Sequence, residues 1–195
     1  MTDQDQNQSK TIKQRLTTFW KVFRVVWIFA GITVTYWFFD SFNAKGVGPL
    51  TMASNATLEV IESDETIVFK PRQASADVGL LFFHGGGVEP VAYAPLIRAV
   101  AEQGYLATII KLPYRFAPHD IHQYDAINRA KNFIKKNSQV NQWLIAGHSK
   151  GAKLAALFID ANPNAVDALI LIGTSHPRWC CDKGTSAKKQ AFTTK

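Results

Sequence analysis

The chain has 195 residues, 47% of them hydrophobic and 19% charged, which is enough apolar material for one packed domain and excludes a disordered chain. Its net charge of +7 does not read as a nucleic-acid footprint. Lys10, Lys13, Arg15, Lys21 and Arg24 crowd one end, Lys183, Lys188, Lys189 and Lys195 the other, and no aromatic-interleaved basic stripe lies between them.

Residues 1–18 form a polar, basic leader, and residues 19–40 read as a transmembrane anchor. Val25 to Phe39 carries no charge. Extended back through Phe19, the apolar run approaches the roughly 20 residues that span a bilayer. Lys21 and Arg24 lie near its end, where long basic side chains can reach the headgroups, and Trp20, Trp27, Tyr36 and Trp37 suit the interfacial belts. Five basic residues precede the span and Lys45 alone soon follows it. That asymmetry places the N-terminus in the cytoplasm and the remainder outside it, a single-pass arrangement. A cleaved signal peptide would have a shorter apolar run ending in small residues, which Trp37-Phe38-Phe39-Asp40 fits badly. A buried core helix is the other alternative. Residues 41–56, with Gly46, Gly48 and Pro49, read as a linker.

The domain spans 57–177. Leu58 to Glu62 and Thr66 to Lys70 read as strands joined by a turn at Ser63-Asp64-Glu65. Val78 to Phe83 is continuously apolar, as a strand buried on both faces should be. Tyr93 to Gln103 has helical spacing and stops at Gly104; Leu106 to Ile110 is another buried strand. A helix is expected over Asp125 to Lys136, a strand over Trp143 to Ala146, a helix over Lys150 to Ala161, and a strand over Ala168 to Ile172. This alternation predicts an α/β fold, a three-layer sandwich around a mostly parallel sheet.

Two loops carry chemistry. Gly147-His148-Ser149-Lys150-Gly151 sits between a strand and a helix, the context that lifts a serine hydroxyl above a sheet as a nucleophile. Gly147 and Gly151 answer to the tightness of that turn. His84-Gly85-Gly86-Gly87 follows the Val78 strand and lets backbone amides approach a substrate oxygen. Gly86 or Gly87 is expected to supply one oxyanion donor and Lys150 N–H the other. His148 is expected to pack beside the turn, and His84 to support the glycine loop. His119, Asp120 and His122 resemble metal ligands in composition, but their spacing lacks further partners, and no metal or cofactor is implied. The adjacent Cys180 and Cys181 offer neither a fold-stapling bridge nor zinc spacing.

On Phe83-His84-Gly85-Gly86-Gly87, Gly104-Tyr105, Lys111-Leu112-Pro113 and the serine pentapeptide, the stretch from Val78 to Pro177 resembles the α/β-hydrolase superfamily, in particular its dienelactone-hydrolase-like fold-5 branch. The resemblance implies Ser149 as nucleophile, an oxyanion hole from Lys150 and the glycine loop, and hydrolysis of a small-molecule ester or similar bond. The superfamily order is Ser, then Asp or Glu, then His. Here Asp160 falls roughly three turns down a helix, Asp167 precedes a strand, His176 comes one position early, and Asp182 follows it. The triad acid and base are therefore unassigned. Residues 178–195 read as an irregular tail, which would leave the Ala168 strand as an open apolar edge. The chain accordingly reads as a hydrolase core missing its last strands. Three alternatives stay open: a membrane-anchored serine esterase, a catalytically silent remnant, and a protein that binds an anionic or acyl ligand without chemistry.

Overall fold

A computed structural model describes residues 3–73, 76–173 and 191–194, with side chains at 15–73 and 76–173. The chain divides into two units, Met1–Asn43 and Ala44–Lys195. The first is one helix, α1 (Asp3–Ser41), whose stretch Arg15–Ser41 is long and apolar enough to cross a membrane, with a mean hydropathy of 1.6 and none of it buried. Its hydroxyls turn back onto the helix: Thr33 Oγ1 donates to Phe29 O at 2.9 Å, Thr35 Oγ1 to Gly31 O at 2.8 Å, and Ser41 Oγ to Trp37 O at 2.7 Å. Such bonds let a polar side chain tolerate hydrocarbon, where no water could satisfy it.

The second unit is a three-layer α/β sandwich. Strands β1 (Leu58–Glu62), β2 (Thr66–Pro71), β3 (Val78–Phe83), β4 (Leu106–Ile110), β5 (Gln142–His148), β6 (Ala168–Ile172) and β7 (Ala191–Thr194) form one sheet in the order β1-β2-β4-β3-β5-β6-β7. The β1–β2 and β2–β4 pairs are antiparallel, and every pair from β4 to β7 is parallel. Three helices cover the sheet: α2 (Ala94–Glu102), α3 (Asp120–Lys136) and α4 (Lys150–Ala161).

Side-chain alternation sorts β3 between two cores. Leu81 and Phe83 join Ile145 and Ile110 under Ala126 and Ala130 of α3 and Leu154 and Phe158 of α4. Phe82 turns the other way, to Ile67, Phe69, Ile109 and Ala146 under Ala94, Ile97 and Ala101 of α2. Each fully buried Phe, Leu or Ile contributes about 1.5–3 kcal/mol. Thr108, the polar residue in wholly buried β4, donates its hydroxyl to Ile67 O at 3.1 Å, so its burial leaves no orphan.

Three expectations need adjusting. Helix α3 starts at Asp120 rather than Asp125. Its first turn exposes Ile121 and Tyr124 and so lacks the apolar spacing that marks a helix in sequence; His119 enters in extended conformation, and the Asp120 carboxylate favours the positive helix end. The supposed irregular tail contributes β7, whose pairing along Leu169–Ile172 means that β6 is not the open edge. Within the expected linker 41–56, Arg98 Nη1 of α2 donates to the carbonyls of Leu50, Thr51 and Ala53 at 2.8–3.0 Å, so these residues are held against the sandwich.

Candidate active site

Parallel strands present their C-terminal ends to one edge of the sheet, and both glycine-bearing loops leave from there. The turn after β5 is sharp. Ser149 has φ 51° and ψ −115°, a strained conformation for a residue with a Cβ, and its side chain is exposed. Strain of this kind costs about 1–3 kcal/mol and persists only where packing enforces it. Here the enforcement is close approach. A Cβ on Gly147 would strike the Gly151 carbonyl and come 2.6 Å from the Ala152 nitrogen, and one on Gly151 would strike the Phe83 carbonyl at the end of β3. The Ser149 amide donates to Ile172 O at 2.9 Å, tying the turn to β6. Lys150 opens α4, where the amide has no intrahelical acceptor.

The loop after β3 is fastened on three sides. His84 is fully buried; its Nε2 accepts the Leu112 amide at 2.9 Å, so Nδ1 carries the proton and donates to Gly85 O at 2.8 Å. Burial holds this imidazole down at about 4; the Gly85 carbonyl opposes the shift, and the charges of Arg115 and Lys111 add to it. The Gly87 amide donates to Arg115 O at 2.8 Å. The Gly85 amide donates to Tyr93 Oη at 3.2 Å, and that hydroxyl lies 2.9 Å from His148 Nδ1.

These bonds separate the glycines. Gly85 and Gly87 have committed amides, whereas the Gly86 amide has no acceptor among the described residues. Gly86 is also where the two loops meet, since a Cβ there would stand 3.1 Å from Lys150 Cβ. The surroundings lean positive. Burial lowers the Lys150 ammonium's proton affinity, nearby Lys153 adds to this, and Asp120 at the start of α3 opposes it. Phe116 forms an apolar rim, its ring against Gly86 and Gly87.

The sequence-derived candidates for an acid do not reach this edge. Asp167 accepts the Trp143 amide at 2.8 Å, near the start of β5 and so at the opposite end of the sheet from Ser149. Asp160 lies near the far end of α4. His176 and Asp182 lie outside the described residues. His122 packs its ring against Tyr114 at 4.9 Å and His119 at 5.5 Å. Sequence reasoning missed Tyr93, Leu112 and Arg115 as partners of the loop. Tyr93 and His148 are 55 positions apart, and no local pattern joins them.

A sequence model described as the Alpha/beta hydrolase family matches residues 79–193. Among solved structures, the chain is similar to the HSL homologue EstE7 from a metagenome library, with 19% identity and a TM-score of 0.49 over 62% of this chain and 46% of that one. It is similar to a hormone-sensitive lipase from a metagenome library, with 20% identity and a TM-score of 0.49 over 62% and 45%. It is also similar to an epoxide hydrolase from Vigna radiata, with 17% identity and a TM-score of 0.48 over 63% and 42%. The chain spans less than half the length of these three proteins. A search of curated proteins gave no match.

Proposed function

The chain belongs to the alpha/beta hydrolase family, and from that premise we propose that it is a membrane-anchored serine hydrolase acting on a small-molecule ester, with Ser149 as nucleophile. The observation that carries this reading is the positive φ of Ser149 at a turn where both flanking glycines are sterically required. Attack by Ser149 Oγ on an ester carbonyl would form a tetrahedral oxyanion. The amides of Gly86 and Lys150, which have no acceptor among the described residues, support its stabilisation, while the engaged amide of Gly87 argues against that residue as a donor. Each such donor is worth on the order of a hundredfold or more in rate.

Ser149 Oγ has no hydrogen-bond partner among the described residues. A serine without a base is a weak nucleophile, although an oxyanion hole alone sustains catalysis roughly a thousandfold above water. The same observation favours a second reading, a silent member of the family that holds an acyl or anionic ligand. The helix Arg15–Ser41 supports a bilayer anchor, and the basic residues ahead of it support a cytoplasmic N-terminus.

A fluorophosphonate probe applied to the full chain in detergent tests the nucleophile. Labelling of wild type and none of Ser149→Ala is expected. Equal absence of label on both proteins would remove the hydrolase reading. Thermal stabilisation by a short-chain carboxylate that persists in Ser149→Ala would then favour the binding protein.

A further inference from the structure

We propose that Tyr93 is a positioning residue that latches the glycine loop to the nucleophile turn through His148. The latch rests on the reading of Ser149 and Gly86 given above. Tyr93 ends a short 3-10 turn, Pro90–Tyr93, and its ring packs on Phe82 at 5.1 Å between centroids, so the hydroxyl has little freedom of position. Tyr93 Oη accepts the Gly85 amide at 3.2 Å. Its own proton then needs an acceptor, and His148 Nδ1 stands 2.9 Å away. The latch thus takes Nδ1 as the bare nitrogen of His148, with the hydrogen on Nε2.

Two neighbours in sequence make this bridge matter. Gly85 precedes Gly86, and His148 precedes Ser149, with Lys150 next along the chain. One hydroxyl thus holds both walls of the oxyanion site one peptide away from the groups that would do the chemistry. The space is shaped for it. A Cβ on Gly85 would sit 2.7 Å from Tyr93 Oη and 2.9 Å from His148 Nδ1. A Cβ on Gly173 would sit 2.9 Å from His148 Nε2, so the ring is seated from both sides. A Tyr93→Phe change keeps the packed ring and removes only the bridge. The Gly85 amide is then released beside the donor peptide, and a donor displaced by about 1 Å costs about a hundredfold in rate.

The test uses the detergent-solubilised full chain and three variants. Tyr93→Phe and His148→Leu are expected to slow fluorophosphonate labelling of Ser149 about ten- to a hundredfold, with KM for a small ester nearly unchanged. His148→Gln retains an acceptor for the Tyr93 hydroxyl and is expected to recover most of the rate. The double variant Tyr93→Phe/His148→Leu should be no slower than either single one, because both break the same bridge. Nitrogen-15 shifts of His148 give a readout independent of chemistry: Nδ1 as acceptor and Nε2 protonated in wild type, with the two tautomers mixed in Tyr93→Phe. Wild-type labelling by Tyr93→Phe, or a protonated Nδ1 in wild type, would overturn the latch. If wild type itself takes no label, the nucleophile reading falls, and the His148 tautomer still decides whether the bridge exists.

Discussion

Ser149 and His84 illustrate how single residues bear the geometry of this site. The Ser149 backbone is held in a conformation that a lone peptide would avoid, between two glycines whose positions the Gly151 and Phe83 carbonyls close to any side chain. His84 is equally constrained. Its Nε2 can accept the Leu112 amide only while the ring is neutral. Its folded value near 4 lies below the ordinary 6.5, so between those pH values the unfolded chain binds the proton more readily than the folded one. Stability from this residue is therefore complete above pH 6.5 and is lost as pH falls through about 4, a total of about 3 kcal/mol. Chemical denaturation of wild type and His84→Gln across that window checks the sign: the acid-side loss of wild type relative to the variant should be of that order. A flat difference would mean that the ring is not buried neutral. Gly86 was legible from sequence only as one of two glycines. Its selection depends on the Gly87 amide being occupied by Arg115 O, a contact between segments that sequence proximity does not reveal.

The elements divide by how local their causes are. Strands β3, β4 and β6 are apolar runs with bounded ends, and the sequence places each of them where it stands. Helix α3 began earlier than its apolar spacing indicated because its first turn is held by the His119 entry and the Asp120 charge. For α1 the testable property is partition into a bilayer. Ile28 lies in the middle of Arg15–Ser41, and an arginine near a bilayer centre costs about 2.5–3.5 kcal/mol. Ile28→Arg is accordingly expected to move the protein out of the alkaline-carbonate-resistant membrane fraction. Unchanged retention would mean that the helix does not span. In the same cells, external protease should reach the sandwich domain and leave an N-terminal tag intact; the reverse pattern would invert the proposed topology.

At the scale of the molecule, the sheet separates two cores. Phe158 belongs to the core under α3 and α4, and Ile97 to the core under α2. Phe158→Ala is expected to cost about 3–5 kcal/mol and Ile97→Ala about 2–5 kcal/mol. Because the residues share no cluster, milder versions of both changes (Phe158→Leu with Ile97→Val) should add within about 0.5 kcal/mol by urea denaturation. A large non-additive term would mean that the sheet transmits repacking from one face to the other. The parallel strand order is what gathers function at one edge, since the loops after β3, β4 and β5 leave the sheet on the same side. The same order sends Asp167 to the opposite end, where its carboxylate caps the Trp143 amide instead of meeting a histidine.

The amino-acid sequence by itself determined the strand and helix alternation, the apolar N-terminal helix, and the two glycine-bearing loops, because each of these rests on periodicity or on a spacing of a few residues. Only the tertiary structure decided which glycine amides are engaged, how Tyr93 and His148 meet, and that β7 pairs along β6. Those outcomes depend on hydrogen bonds between segments far apart along the chain, and such bonds acquire partners only when the sheet has brought its ends together.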